Sequence, residues 1–250
     1  MEYDGRRYYG FQWQSGLPTI QAELEKAIQK LTGEKRRVLA ASRTDTGVHA
    51  RGQVVSFRTT STLSPQTVVR ALNYYLPEDI AVSAAYRADA GFNVQRDAVS
   101  REYEYRILNG PVRSPLAEGF TYLVTGRLNI RNMNKACQLL KGKHDFVSFA
   151  SALEPEKNTV RTVDEARCSR KGAEVNFRIV ANSFLPHQVR NTVGLLIRVG
   201  LGKVSLGEFR QVMEAKKVGT AGPAAPPHGL YLMRVNYPAD LELHYENVCN

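Results

Sequence analysis

Asp45 lies in a run whose residue types can do chemistry, Ser42-Arg43-Thr44-Asp45-Thr46-Gly47-Val48-His49-Ala50-Arg51-Gly52-Gln53. Arg43 and Arg51 flank the carboxylate, and cationic neighbours hold such a group ionised. That is the state a nucleophile needs and a general acid does not, so if Asp45 acts, it acts as an anion. The competing reading is an Asx cap, with the carboxylate tied to its own backbone, as turn aspartates most often are. Gly47 and Gly52 permit close backbone approach. Arg43 can contact a phosphate or enter a base stack, and His49 can orient a substrate or make one structural hydrogen bond. The run falls between Val38-Leu39-Ala40-Ala41 and Val54-Val55-Ser56-Phe57, which both read as strands. A hairpin needs only two to five connecting residues. About ten polar ones here point to a working loop on a rigid support.

Further positions can converge on that carboxylate. In Arg101-x-Tyr103-x-Tyr105, strand alternation puts all three side chains on one face. They are site residues, or two packed tyrosines with an arginine snorkelling past them. Arg190 follows Phe184-Leu185-Pro186-His187 near the start of a helix whose remainder is apolar. It is a surface charge or the ion-pair partner of a buried carboxylate. Other chemistries lack their signatures. Gly200-Leu201-Gly202-Lys203 follows a helix and continues into Val204, so it reads as a helix-ending turn and not as a phosphate loop. The histidines His49, His144, His187, His228 and His244 show no ligand spacing, and no metal is expected. His144-Asp145-Phe146 reads as the end of a helix leading into an apolar strand. The G-x-S-x-G elbow of a Ser/His/Asp hydrolase is missing.

The elements that must position these residues follow from periodicity and caps. Thr19 opens a helix with Ile20, Leu24, Ala27, Ile28 and Leu31 on one face, and Gly33 stops it. Ser64-Pro65 opens a second, with Val68, Val69, Leu72 and Leu76 inward. Strands are expected at 36–41, 54–59 and 80–86, after a first strand at Tyr3-Asp4 that reads as lacking its beginning. The order then recurs. A strand at 100–108 precedes a helix facing inward through Ile130, Met133, Ala136, Cys137 and Leu140. A hairpin of 159–169 with 173–182 follows, then a helix at 186–199, a short helix boxed by Ser205 and Glu208, and a last strand at 230–236. Both halves read strand, helix, strand, strand, helix, strand, the ferredoxin-like split order. The expected fold is therefore α+β. Two ferredoxin-like (β-α-β-β-α-β) halves, residues 1–95 with the catalytic loop and 96–250 completing the site, join into a mostly antiparallel sheet. Helices lie on one face, and a central cleft divides the halves.

Composition narrows the class of partner. The 250 residues carry 34 Lys+Arg against 24 Asp+Glu, a formal +10. Such a surface suits a polyanion, because neutralised phosphates release counterions, although a merely basic surface is the plain alternative. Several of the twelve tyrosines adjoin arginines, as in Arg6-Arg7-Tyr8-Tyr9, and this tilts the reading toward unpaired RNA bases. No apolar run reaches the roughly 18 residues of a membrane span, and Met1-Glu2-Tyr3-Asp4 is no signal peptide. Cys137, Cys168 and Cys249 form no C-x-x-C pair. A cytoplasmic protein with free thiols is expected.

Several ordered motifs carry a resemblance. They are Tyr3-Asp4-Gly5, Tyr9-Gly10-Phe11-Gln12-Trp13-Gln14, Ser42 to Ala50 of the Asp45 run, Arg101-x-Tyr103-x-Tyr105 and Gly142-x-His144-Asp145-Phe146-x-Ser148-Phe149. Phe184-Leu185-Pro186-His187-Gln188-Val189-Arg190-Asn191, Gly229-Leu230-Tyr231-Leu232 and Tyr237-Pro238 complete the series. Through them nearly the whole chain resembles the tRNA pseudouridine synthases of the TruA family. The resemblance implies isomerisation of uridine at positions 38 to 40 of the tRNA anticodon stem-loop by a cofactor-free homodimer. It implies that Asp45 is the catalytic aspartate that forms a covalent adduct, on the uracil ring or on the ribose anomeric carbon. It implies that Tyr103 lies against the target base and that Arg190 pairs with the catalytic carboxylate. It gives Arg43 a part in extruding the nucleotide, which a base modified within a stem requires. His49 and Arg51, from the same run, are counted with Arg43 and Tyr103 as substrate-binding. One departure stands out. The family's Phe-His-Ala-Arg stretch is Phe92-Asn93-Val94-Gln95 here, with Arg96 the nearest cation. The alternative is a non-catalytic RNA-binding protein on the same scaffold, against which the intact set Asp45, Tyr103 and Arg190 speaks.

Overall fold

In the computed structural model, which describes residues 1–151 and 158–238, the first helix forms where a threonine cap and an apolar stripe dictate. The side chain of Thr19 accepts from the Ala22 N–H at the start of α1 (Ile20–Thr32), and Gly33 ends the helix at φ 75°. The cap satisfies one of the N–H groups that a first turn leaves without a partner. Ile20, Leu24, Ala27 and Ile28 are buried. Their helix packs on α2 (Pro65–Tyr75), which Ser64 caps in the same way. Cys249 and His244 lie outside the described residues.

The described residues form two compact units, Met1–Val99 with 232–238, and Ser100–Tyr231. Each is mixed α+β with mostly antiparallel pairing. In the first the strands are short: β1 (Glu2–Tyr3), β2 (Leu39–Ala40), β3 (His49–Ala50), β4 (Val55–Ser56) and β5 (Ile80–Ala81). β1 lies between β5 and β3, antiparallel to both, with Tyr3 opposite Ala50. β2 pairs separately with β4. The strands expected at 36–41, 54–59 and 80–86 thus shrink to two residues each. The run expected to be a working loop also holds a strand of its own. The chain leaves β2, pairs across to β1 as β3, and returns to β4, which is why ten residues are needed where a hairpin uses fewer.

The second unit is built on longer strands: β6 (Ser100–Asn109), β7 (Tyr122–Val124), β8 (Gly142–Asp145), β9 (Val160–Lys171) and β10 (Glu174–Ala181). The order is β6-β10-β9-β8, and β7 runs parallel to the end of β6. Val175, Phe177, Ile179 and Ala181 alternate inward along β10, matched by Tyr103, Tyr105 and Ile107 on β6. Against this face packs α3 (Ile130–Leu140), through Met133, Ala136, Cys137 and Leu140, and α3 in turn touches α4 (Gln188–Gly200). Removing one ring from this core, as in Phe177→Ala, costs about 3–5 kcal/mol. His144 and Asp145 do not end a helix. They form the edge strand β8 against β9, with Lys143 opposite Thr162 and His144 opposite Arg161, and polar residues are what an edge strand tolerates. Cys137 and Cys168 are free thiols with sulfurs 3.8 Å apart. The hydrogen bond with Cys137, together with burial, pushes the Cys168 thiol well up.

α4 ends at Gly200, and Gly202 adopts φ 71°, so Gly200-Leu201-Gly202 is a helix-ending turn. α5 (Leu206–Glu214) carries the Ser205–Glu208 capping box. The last strand, β11 (Leu230–Asn236), passes into the first unit at Leu232, whose carbonyl accepts from the Arg51 and Gly52 N–H groups at 2.8 and 3.2 Å. No helix among the described residues is long and apolar enough to cross a membrane.

Candidate active site

The Asp45 run is seated from several directions by its own unit. A turn closes through the Asp45 carbonyl, which accepts from the Val48 N–H at 3.1 Å. Gly47 takes φ 76° inside that turn, where a side chain would be strained. Two glycines far upstream bring other backbone against it. A Cβ on Gly5 would fall 2.0 Å from the Val48 carbonyl oxygen, and one on Gly10 would fall 2.7 Å from that of Thr44. Phe11 N–H reaches the same Thr44 oxygen at 3.0 Å.

The ends of the run meet at one buried hydroxyl. Tyr3 OH lies 2.8 Å from Thr44 Oγ1, and Gln53 Nε2 donates to it at 3.3 Å and to the Ser42 carbonyl at 2.7 Å. Tyr3, Thr44 and Gln53 are all buried. Each such bond contributes about 0.5–1.5 kcal/mol, but a buried partner left unsatisfied costs about 1–3 kcal/mol. Gly52 completes the seat, since a Cβ there would meet the Met233 carbonyl oxygen at 2.2 Å. On this support Asp45 is half-buried while Arg43 and Arg51 are exposed.

His49 faces inward and is 1% exposed. The Gly5 N–H donates to its Nδ1 at 3.3 Å, and Asp4 Oδ1 lies 3.3 Å from the same nitrogen. The first contact uses an unprotonated Nδ1, the second a protonated one. Burial works to raise the pKa of Asp4, but hydrogen bonds from the Arg6 side chain and backbone, with the charge of His49, outweigh it. They hold the Asp4 carboxyl below its ordinary range.

In the second unit, Arg101, Tyr103 and Tyr105 share the buried face of β6. The ring of Tyr103 stands edge-on to Phe184 with centroids 5.1 Å apart. Arg101 donates from Nη1 to the Asn182 carbonyl at 2.9 Å. Tyr105 OH donates to the Pro226 carbonyl at 2.7 Å, and burial, with the neighbouring Tyr122, pushes its phenol far up. That ring is a structural post. Arg190 sits half-buried in the first turn of α4. Its Nε donates to the Ala225 carbonyl at 2.9 Å, and its own carbonyl accepts from the Ala225 N–H at 3.0 Å, so side chain and backbone are both tied to Ala225. The helix start is fixed as well. His187 caps it at φ 59°, with its Nδ1 2.7 Å from Ser151 Oγ, and Asn191 Nδ2 donates to the Phe149 carbonyl.

The candidate residues therefore divide by unit. Arg43, Asp45, His49 and Arg51 belong to one continuous seat in the first, and Tyr103 and Arg190 to the second. Tyr3, Gly5 and Gly10 do as much for the seat as the run itself, and reading the run alone misses them. Their only signal is membership of the ordered motifs, because nothing local ties Gly10 to a turn 35 positions later. Among the described residues no group of three or more His, Cys, Asp or Glu is placed to hold a metal ion.

A half-buried carboxylate on a held turn, with exposed arginines on either side of it in sequence, can serve as a nucleophile toward an anionic polymer. A family model described as tRNA pseudouridine synthase matches residues 1–95 and 136–238. The chain belongs to the tRNA pseudouridine synthase family, and it is an isomerase of tRNA processing. Its relatives carry a narrower name. It is 42% identical, over 97% of its length and 95% of the relative's, to a tRNA pseudouridine synthase A from Methylacidiphilum infernorum. It is 45% identical to one from Roseiflexus sp. strain RS-1, over 96% of this chain and 90% of that one. Identity to one from Neisseria meningitidis serogroup B is 41%, over 95% and 90%.

Proposed function

We propose that the chain converts uridine to pseudouridine at positions 38 to 40 of the tRNA anticodon stem-loop, with Asp45 as nucleophile. The observation that carries this reading is the locked seat of Asp45, a half-buried carboxylate on a turn held by Gly5, Gly10, Gly47 and the Tyr3–Thr44–Gln53 bonds. A nucleophile gains from such fixation because orientation no longer has to be found during the reaction.

The isomerisation breaks the C1′–N1 glycosidic bond and forms C1′–C5. C5 gives up its hydrogen and N1 takes one, so no electrons leave the substrate and no cofactor is called for. Asp45 adds to the uracil ring or to the anomeric carbon and is released at the end. Tyr103 lies against the target base. Arg190 is the ion-pair partner of the Asp45 carboxylate, and Arg43 helps to extrude the nucleotide. Arg51 contacts the RNA backbone, and His49 shapes the binding surface by holding β3 to Gly5. The halves 1–95, with the loop, and 96–250, completing the cleft, are ferredoxin-like. The strand orders β5-β1-β3 and β6-β10-β9 support this, each placing the first strand of its half beside the third. The working form is a cytoplasmic homodimer.

Two experiments test the reading. Wild-type protein incubated with an unmodified tRNA transcript should give pseudouridine at one or more of positions 38 to 40. Conversion confined to other positions contradicts the assigned target. Arg190→Met should lower kcat by about tenfold or more and leave tRNA affinity nearly unchanged. Lost affinity with kcat spared would make Arg190 a phosphate contact instead.

A further inference from the structure

Residues 8 to 13 sort their aromatic rings in a way that packing does not require. Tyr8 and Phe11 are buried, while Tyr9 is 49% and Trp13 44% exposed. The exposed rings stand on fixed backbone. Tyr9 N–H donates to the Pro18 carbonyl at 2.9 Å, Gln14 Nε2 to the Tyr9 carbonyl at 2.7 Å, and Trp13 N–H to Gln21 Oε1 at 2.9 Å. Arg37 lies over the indole at 4.9 Å from the ring centroid, and Glu25 holds that guanidinium at 3.3 Å. Gly10, within the same loop, lies so near the Asp45 turn that a Cβ on it would meet backbone atoms of Thr44, Asp45 and Thr46 at 2.7, 3.2 and 3.3 Å. The exposed rings therefore flank a residue that touches the catalytic turn. The charge around them is positive, with Arg7, Arg37 and Arg43 all exposed.

We propose that Trp13, with Arg37 stacked on it and Tyr9 beside it in sequence, is a stacking platform for an unpaired base of the RNA substrate. The proposal rests on the tRNA reading above and adds a specificity residue to it. Unpaired bases are bound by stacking on aromatic rings or on guanidinium planes, and here the two lie together, Arg37 over the Trp13 ring. Paired bases inside a helix cannot reach such a ring, so the occupant is a nucleotide of the loop near the target uridine. The surrounding arginines complement its phosphates. Trp13 acts on which RNA is held, and no chemical step passes through it.

Trp13 is the only tryptophan in the chain, so its fluorescence reports on this site alone. Full-length Asp45→Asn protein titrated with an anticodon stem-loop RNA should show saturable quenching. A fully paired RNA duplex of equal length should not produce it. Trp13→Ala should raise KM for tRNA by about five- to a hundredfold with kcat kept within about twofold, and Trp13→Phe should recover most of the loss. Quenching absent with the stem-loop, or equal with the duplex, overturns the platform. So does a Trp13→Ala enzyme with unchanged KM or with a loss confined to kcat. Pseudouridine formation by wild type in the same preparations separates the two readings. If wild type forms none, the enzyme reading fails whatever the fluorescence does. If it does and Trp13 is silent, only the platform falls.

Discussion

Tyr3 bears on the site although it carries no chemistry, because its hydroxyl meets both Thr44 and Gln53 beneath the Asp45 run. Tyr3→Phe keeps the ring in the core and removes only that meeting point. Urea unfolding should then show a loss of about 1–3 kcal/mol, the cost of a buried polar group left unsatisfied. kcat should fall with little change in tRNA affinity, since Arg43 and Arg51 keep their places. Gly10→Ala is the harsher variant, combining φ 86° with a Cβ 2.7 Å from the Thr44 oxygen. It should lower both stability and kcat more than Tyr3→Phe does. The run that holds the candidate residues was visible because its residue types are costly to place together without use. The residues that seat them were not, because Tyr3, Gly5 and Gly10 act on positions some forty residues away that no local pattern connects to them.

At the scale of elements, caps and apolar stripes read truly. The Thr19 cap with its Gly33 stop, the inward face of α3, the Ser205–Glu208 box and the final strand at Leu230–Asn236 all form where periodicity places them. Short and polar strands did not read. β3 and β8 are set by pairing partners, Tyr3 for one and β9 for the other, and not by alternation of their own residues. β7 was hidden in the loop that follows Pro111 and Pro115. Loops are tied by particular bonds as well. Glu34, just beyond α1, accepts from the Thr60 hydroxyl and the Thr60 N–H, and also from Arg36 Nε at 2.8 Å. The Thr60 hydroxyl first, then Arg36, bring its pKa down from 4.5 to about 2. A lowered folded pKa means stabilisation that is present above about pH 4.5 and lost as pH falls toward 2. Exchange of the Thr60 amide should therefore accelerate over that window, beyond its intrinsic pH dependence. Glu34→Gln should remove the transition. An unchanged transition in the variant assigns it to another group.

For the molecule as a whole, the formal charge of +10 makes tRNA binding a counterion-release reaction. Affinity should fall steeply with salt. Arg51→Ala should reduce the slope of log K against log salt by about 1, as loss of one phosphate contact does, whereas Asp45→Asn should leave it unchanged. An unaltered slope in Arg51→Ala removes that residue from the RNA interface. Net charge was legible from composition alone, and the mixed α+β class from the order of caps and periodic segments. The return of the chain from Leu232 into the first unit was not, because a strand's pattern says which face it buries and not which neighbour it joins. The central claim is that the Asp45 carboxylate is the nucleophile of a uridine isomerase. Its most direct test is release of hydrogen from C5 of uridine in tRNA labelled at that position, comparing wild type with Asp45→Asn. The account predicts release by wild type and none above background by the variant. Equal release by both would contradict it.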